Sequence, residues 1–144
     1  MAVELREITK ETVRAICNLD VADDQREFVA PNALSIAQAH FEPKQWMRAI
    51  YVDDKPVGFI LTDEDPTKGA YYLWRFMVAA QHQRQGIGRR AMGLLIDRWR
   101  AIGAGSATLS IVEANGVALE FYESLGFRLT GEREHDELVM RLEL

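Results

Sequence analysis

The chain has 144 residues, 48% of them hydrophobic and 27% charged, which suits one domain spanning residues 1–144 with a real core and leaves little room for a second. Its formal net charge of −5 opposes tight nonspecific binding of nucleic acid and favours cationic partners. A single cysteine, Cys17, excludes an intrachain disulfide and a multi-cysteine metal site, and neither an apolar leader nor a membrane span is visible, so a cytoplasmic, metal-free protein is expected.

In chain order, "VELREI" alternates as a first strand should, and "TKETVRAICNLD" reads as a helix with Thr9 as N-cap and Val13, Ile16 and Cys17 on its apolar face. Cys17 is then a core residue. Pro31 and Pro43 break the next segment, leaving a short helix around Ser35 to Phe41 inside a long irregular connection. Two β-rich runs follow, joined by a hairpin at Asp53-Asp54-Lys55-Pro56, and then "DEDPTKG" reads as an acidic loop. The apolar, aromatic run "AYYLWRFMV" has the character of a central strand buried on both faces. After a glycine-bearing stretch comes an amphipathic helix, then the strand "SATLSIV". A helix from about Asn115 to Gly126 and a closing hairpin complete the chain. The order β-α-α-β-β-β-α-β-α-β-β is α+β: a mixed, mostly antiparallel sheet with helices on both faces, an α/β/α sandwich.

The stretch "QHQRQGIGRR" holds the chemistry. Gly86 and Gly88 stand one residue apart, flanked by Arg84, Arg89 and Arg90, just ahead of the amphipathic helix. A dinucleotide fingerprint would follow the first strand and carry a third glycine, and a phosphate loop would need G-x-x-x-x-G-K-[ST]; neither is present. What fits is a pyrophosphate held by the backbone N–H groups of Arg84 to Arg89, helped by the helix dipole and the guanidinium groups. Taken alone, the glycine pair is equally consistent with a tight helix entry.

Gln83-Arg84-Gln85-Gly86-Ile87-Gly88 resembles the acetyl-coenzyme A motif Q/R-x-x-G-x-G/A of the GCN5-related N-acetyltransferases. Downstream, "NGVALEFYESLGF" is similar to that family's second coenzyme segment, with Asn115, Ala118, Phe121, Tyr122, Gly126 and Phe127 in the matching places. The phrases "FVAPNALSIAQA", "PVGF", "RFMV" and "GE…ELVM" further resemble the bacterial spermine/spermidine acetyltransferase subgroup. The resemblance implies that the fourth and fifth strands splay apart and that the pantetheine arm of acetyl-coenzyme A pairs with the main chain of Phe76, Met77 and Val78. It gives Gln83, Arg84, Gln85, Gly86, Ile87, Gly88 and Arg89 to the coenzyme, two of the three flanking arginines touching it. It also gives Asn115 a coenzyme contact besides its N-cap role, and makes Tyr122, placed at a helix start, the acid that protonates the leaving thiolate.

By the same resemblance the reaction is transfer of an acetyl group to a primary amine, with a small-molecule polyamine such as spermidine or spermine as the leading acceptor. The alternatives are a peptide N-terminus or lysine side chain, and a non-catalytic acyl-coenzyme A-binding module. A homodimer is a candidate assembly. The amine must lose a proton before it attacks, and the base is the open question. Trp74 and Arg75 stand on the fourth strand where many family members carry a carboxylate, so the acids considered are Asp23, Asp24 and Glu27 before the second helix and Asp63, Glu64 and Asp65 in the acidic loop. The first cluster is the expected substrate-binding site. His40, His82 and His135 have no partner visible in sequence.

Overall fold

The computed structural model describes every residue, Met1–Leu144. Its elements are β1 (Val3–Arg6), α1 (Val13–Cys17), α2 (Asn32–His40), β2 (Gln45–Val52), β3 (Lys55–Asp65), β4 (Ala70–Val78), α3 (Ile87–Ala101), β5 (Ser106–Val112), α4 (Gly116–Ser124), β6 (Arg128–Glu134) and β7 (Glu137–Glu143), in the predicted order. The seven strands form a single sheet, β1-β2-β3-β4-β5-β7-β6, antiparallel everywhere except between β4 and β5. The chain crosses from β4 to the parallel β5 through helix α3, as a parallel connection requires. No helix is long and apolar enough to cross a membrane.

Period-two alternation divides the sheet between two cores. Val57 and Ile60 of β3 join Leu73 of β4 and Ala107, Leu109 and Ile111 of β5 against the apolar stripe of α3, made by Ile87, Ala91, Met92, Leu95, Ile96 and Trp99. Phe59 and Leu61 of β3, Ala49 and Tyr51 of β2 and Met77 of β4 pack on the other face with Ile16 of α1 and Ala39 of α2. β3 and β4 approach closely: a Cβ at Gly58 would lie 2.5 Å from the Met77 carbonyl oxygen, so only glycine fits there.

Four local expectations need correction. Thr9 does not cap α1: its carbonyl accepts from the Thr12 and Val13 N–H groups, a turn that delays the helix to Val13 with Thr12 at the cap. Of that helix only Ile16 is buried, and Cys17 is half-buried. The first hairpin turn is Asp53 and Asp54 alone, both left-handed (φ 49° and 68°), and β3 resumes at Lys55. β4 is not buried throughout, because Tyr72, Trp74, Arg75 and Phe76 are half-exposed.

The fourth correction concerns the acidic segment, which is strand rather than loop. Thr62 and Glu64 point under α3, where Glu64 accepts from Arg98 Nη1 and Nη2 at 2.8 and 2.9 Å, from Trp99 Nε1 at 2.9 Å and from Thr62 Oγ1 at 2.8 Å. Arg98 in turn lies over the Trp46 ring, 3.9 Å from its centroid. Burial pushes the Glu64 carboxyl up, but the bonds from Arg98, Trp99 and Thr62 outweigh it and hold the group below its ordinary value. Asp65 accepts from Lys44 Nζ at 2.6 Å and from the Thr67 N–H at 3.2 Å, which ends β3 in a tight turn. Glu64 and Asp65 therefore fasten α3 and β3, and neither is available as a base.

Candidate active site

β4 and β5 share only two rungs, Tyr72 with Thr108 and Leu73 with Leu109. Beyond them β4 stays with β3 as far as Val78, while β5 stays with β7 as far as Val112. The two strands part like the arms of a V, and the β4 edge at Phe76, Met77 and Val78 has no strand opposite it. A bulge helps to open the gap: Arg75 faces Leu61 and Leu73 faces Thr62, so Trp74 is an extra residue on β4. Met77 and Val78 bury their side chains, which leaves main-chain groups to serve the gap. An amide-bearing chain can pair there as an added strand would.

At the wide end of the V the chain turns into α3. Gln83 Nε2 donates to the Val78 carbonyl and to Gln25 Oε1, each at 2.8 Å, which fixes the turn against the end of β4. Arg84 (φ 64°) and Gly86 (φ 80°) are both left-handed, so the loop curls, and the first helical bond runs from the Arg90 N–H to the Gly86 carbonyl at 3.1 Å. The N–H groups from Arg84 to Arg89 have no partner in the turn or the helix. They converge at the positive end of α3, a ready cradle for an anion. Ile87 is buried and offers only its backbone. Gly88 lies beside the stacked rings of Phe76 and Phe121, 5.9 Å apart, where an added Cβ would meet them at 3.5 and 3.6 Å.

The arginines divide. Arg84 is exposed, with no hydrogen bond to the protein. Arg89 donates to Ser124 Oγ at 2.6 Å and ties α3 to the end of α4. Arg90 turns away and donates to the Met1 carbonyl at 2.8 Å, so the expectation for the three flanking arginines narrows to Arg84 and Arg89.

Asn115 caps α4, its side chain accepting from the Ala118 N–H at 3.2 Å. Tyr122 stands in the second half of this helix, not at its start as expected. Its ring packs edge-on against Phe121 (5.2 Å) and Phe127 (5.8 Å), and its hydroxyl makes no hydrogen bond to the protein. Burial pushes the phenol well above its ordinary pKa, so it stays protonated across the physiological range.

The opposite face of the V, toward α1 and α2, carries Tyr72, Ser110 and Glu137, which sequence reasoning missed, beside Arg75 and Asp63. Tyr72 and Ser110 are joined hydroxyl to hydroxyl at 2.7 Å, and Ser110 Oγ lies 3.1 Å from Glu137 Oε1. Arg75 donates to the Trp74 carbonyl at 3.0 Å and to Gln38 Oε1 at 3.2 Å; its Nε is buried without a partner and no carboxylate lies within 4 Å of it. Asp63 sits opposite Tyr72 on β3, its carboxyl pushed up by burial and then by Glu42. The one available signal was the strand alternation of "SATLSIV", which turns Ser110 away from α3.

Asp23 and Asp24 lie in a 3-10 turn, Asp23–Gln25, and both are exposed, as is Glu27. Arg26 spans Asp20 at 3.0 Å and Asp23 at 3.4 Å, leaving Asp24 and Glu27 without ion pairs. Gln25 of this turn is bonded to Gln83, so the segment leans on the α3 entry loop. The histidines do not converge: His40 packs edge-on against Phe41 (5.1 Å), His82 lies in the turn after β4, and His135 in the β6–β7 turn.

A family model described as the Acetyltransferase (GNAT) family matches residues 5–127. The chain is 26% identical, with all of both chains covered, to a spermine/spermidine N(1)-acetyltransferase of Bacillus subtilis. It is 38% identical over 55 residues, 38% of this chain and 37% of the other, to the [ribosomal protein bS18]-alanine N-acetyltransferase of Escherichia coli. The crystal structure of the PaiA N-acetyltransferase of Thermoplasma acidophilum in complex with coenzyme A superimposes with a TM-score of 0.78 at 14% identity, covering all of both chains. With its split central strands, its anion cradle and this family match over most of its length, the chain belongs to the Acetyltransferase (GNAT) family and is an acetyl-coenzyme A-dependent N-acetyltransferase.

Proposed function

We propose that the chain transfers the acetyl group to a polyamine such as spermidine or spermine, by direct attack of a primary amine on the thioester, in the cytoplasm. The observation that carries the acceptor is the alignment along the whole chain with a spermine/spermidine N(1)-acetyltransferase, and the net charge of −5 supports it. In this reading the loop Gln83–Arg89 receives the diphosphate. Arg84, Gly86, Ile87, Gly88 and Arg89 contribute backbone N–H groups or charge, Gln85 flanks them, and Gln83 holds the loop through its bonds to Val78 and Gln25. The open β4 edge at Phe76, Met77 and Val78 receives the pantetheine amides, and Asn115 orients α4. Acetyl-coenzyme A supplies the acetyl group as a thioester when bound.

Tyr122 gives its proton to the departing sulfur, a role suited to a phenol with no competing hydrogen bond. Asp23, Asp24 and Glu27 hold the distal ammonium groups of the polyamine, a task for which exposed carboxylates beside the coenzyme loop are suited, Asp24 and Glu27 being free of ion pairs and Asp23 shared with Arg26.

A second reading is favoured by Arg75. A half-buried guanidinium without a carboxylate partner matches an acceptor that carries its own carboxylate or peptide carbonyls, and one partial match is to an alanine N-acetyltransferase. A thiol-release assay over polyamines, amino acids, aminoglycosides and alanine-led peptides separates the two. The polyamine reading expects kcat/KM to be highest for spermidine or spermine. A peptide or amino acid that outperforms both overturns it.

A further inference from the structure

A hydrogen-bonded chain crosses three strands just where β4 and β5 part. Ser110 is the first β5 residue beyond the last shared rung, and its Oγ donates to Glu137 Oε1 at 3.1 Å. With the only Ser110 proton so committed, the Tyr72 hydroxyl is the donor in the 2.7 Å bond between them. The neighbours of Ser110 along β5, Leu109 and Ile111, are buried toward α3, so Ser110 faces the other side of the sheet, away from the core that includes Tyr122. Tyr72, Ser110 and Glu137 are each half-buried, and none belongs to either apolar core. They hold a polar path from the mouth of the V to the sheet surface.

We propose that this chain is the route by which the attacking amine loses its proton. The proposal rests on the reading that a primary amine is acetylated at the β4–β5 opening. An N–H of the ammonium passes its proton to Ser110 Oγ as Ser110 passes its own to the Glu137 carboxylate, and Tyr72 holds the serine oxygen in place. The neutral nitrogen then bonds to the thioester carbonyl carbon, the C–S bond breaks, and the thiolate takes the Tyr122 proton. A second N–H proton, released to solvent as the amide forms, balances the one solvent returns to Tyr122, and Glu137 gives its proton to solvent before the next turnover, the one H+ liberated per acetyl group transferred. Base and acid then work from opposite faces of one sheet, so neither can neutralise the other directly.

Glu137→Gln tests this, because the amide oxygen still accepts from Ser110 but cannot take a proton. The charged and titratable groups around Glu137 are Tyr72 and Arg75 of β4, Glu134, His135 and Asp136 of the hairpin, the Glu113–Arg133 pair at the end of β5, and Asp63 beside Tyr72. Both tyrosines are raised by burial and stay protonated in the range used. The kcat/KM of wild type, Glu137→Gln and Ser110→Ala is measured from pH 7 to 9.5 with the best acceptor of ordinary alkyl-amine basicity, whose pKa is about 10.

The wild-type profile is expected to be flat. Both variants should start about 100-fold lower at pH 7, the low end of what a general base supplies, and climb about tenfold per pH unit as the neutral amine becomes abundant. Glu137→Asp should recover part of the loss, while coenzyme A affinity by calorimetry and the melting temperature stay at wild-type values. Profiles parallel to wild type, with or without a constant loss, overturn the relay. A wild type that acetylates no amine overturns the parent reading instead.

Discussion

Removing the Tyr122 hydroxyl separates catalysis from packing more cleanly than any other change in this site. In Tyr122→Phe the ring keeps its edge-on contacts with Phe121 and Phe127, and because the hydroxyl bonds to no protein group its loss orphans nothing. The melting temperature should therefore stay within a degree or two of wild type. Turnover should fall by about 10²–10⁴, the span of a lost general acid, equivalent to about 2.7–5.4 kcal/mol of barrier. Coenzyme affinity should not move, since the cradle at α3 is built from other residues.

The pH dependence carries the sign. Burial raises the Tyr122 phenol above its ordinary value, so the acid form is present through neutral and mildly alkaline pH. Wild type should show no alkaline loss of kcat from this group below about pH 10, the pKa of an ordinary phenol. Stopped-flow thiol release with saturating acceptor measures kcat, and differential scanning calorimetry measures stability. A Tyr122→Phe protein with full turnover would assign the protonation of the thiolate to solvent, and one that unfolds would assign Tyr122 to the core alone.

Further expectations follow from the same geometry. Gly86→Val forces a β-branched residue into φ 80°, a strain of about 1–3 kcal/mol, and should weaken coenzyme A binding at least tenfold by calorimetry; unchanged affinity in a folded protein removes the loop from the site. Gly88→Ala is the milder partner, because its Cβ meets Phe76 and Phe121 at ordinary contact distance. Glu64→Ala strands Trp99 Nε1 and Arg98 under α3 and should cost about 3–5 kcal/mol, read as a shift in the urea midpoint, with KM for the acceptor unchanged. Since the folded Glu64 pKa lies below the unfolded value of about 4.3, its contribution is complete at neutral pH and disappears as pH falls through the folded value; a variant equal to wild type at pH 7 refutes the node. Neutralising Asp23, Asp24 and Glu27 together should raise KM for polyamines in proportion to their ammonium groups, with high salt imitating part of the effect; equal KM values remove this cluster.

The two halves of the site differ in how they are written into the chain. The coenzyme half is local. A left-handed Gly86 and a helix start within a few residues make the anion cradle, and Asn115 caps the short helix that carries Tyr122, so motif spacing alone is enough to propose them. Local rules also explain the misread starts and turns: Thr9 and Thr12 compete for one cap, and two aspartates close the hairpin that four residues were expected to make. The acidic run Asp63–Asp65 failed differently, because what draws Glu64 inward is Arg98 and Trp99, more than thirty residues away on α3.

The proposed proton route is non-local throughout. Tyr72, Ser110 and Glu137 meet only because the register sets β4, β5 and β7 side by side and because one extra residue, Trp74, changes which β4 side chains face that surface. No periodicity reveals a bulge, and a one-residue shift in β4 would send Tyr72 to the α3 core. A fold that sets its proposed donor cradle on a loop and a helix end, and its proposed proton route on sheet register, can keep the first while exchanging the second. Partial similarity confined to the local motifs therefore carries the coenzyme and the reaction, while the proposed base and the choice between the polyamine and peptide readings depend on the sheet face where Arg75, Ser110 and Glu137 stand as well as on Asp23, Asp24 and Glu27.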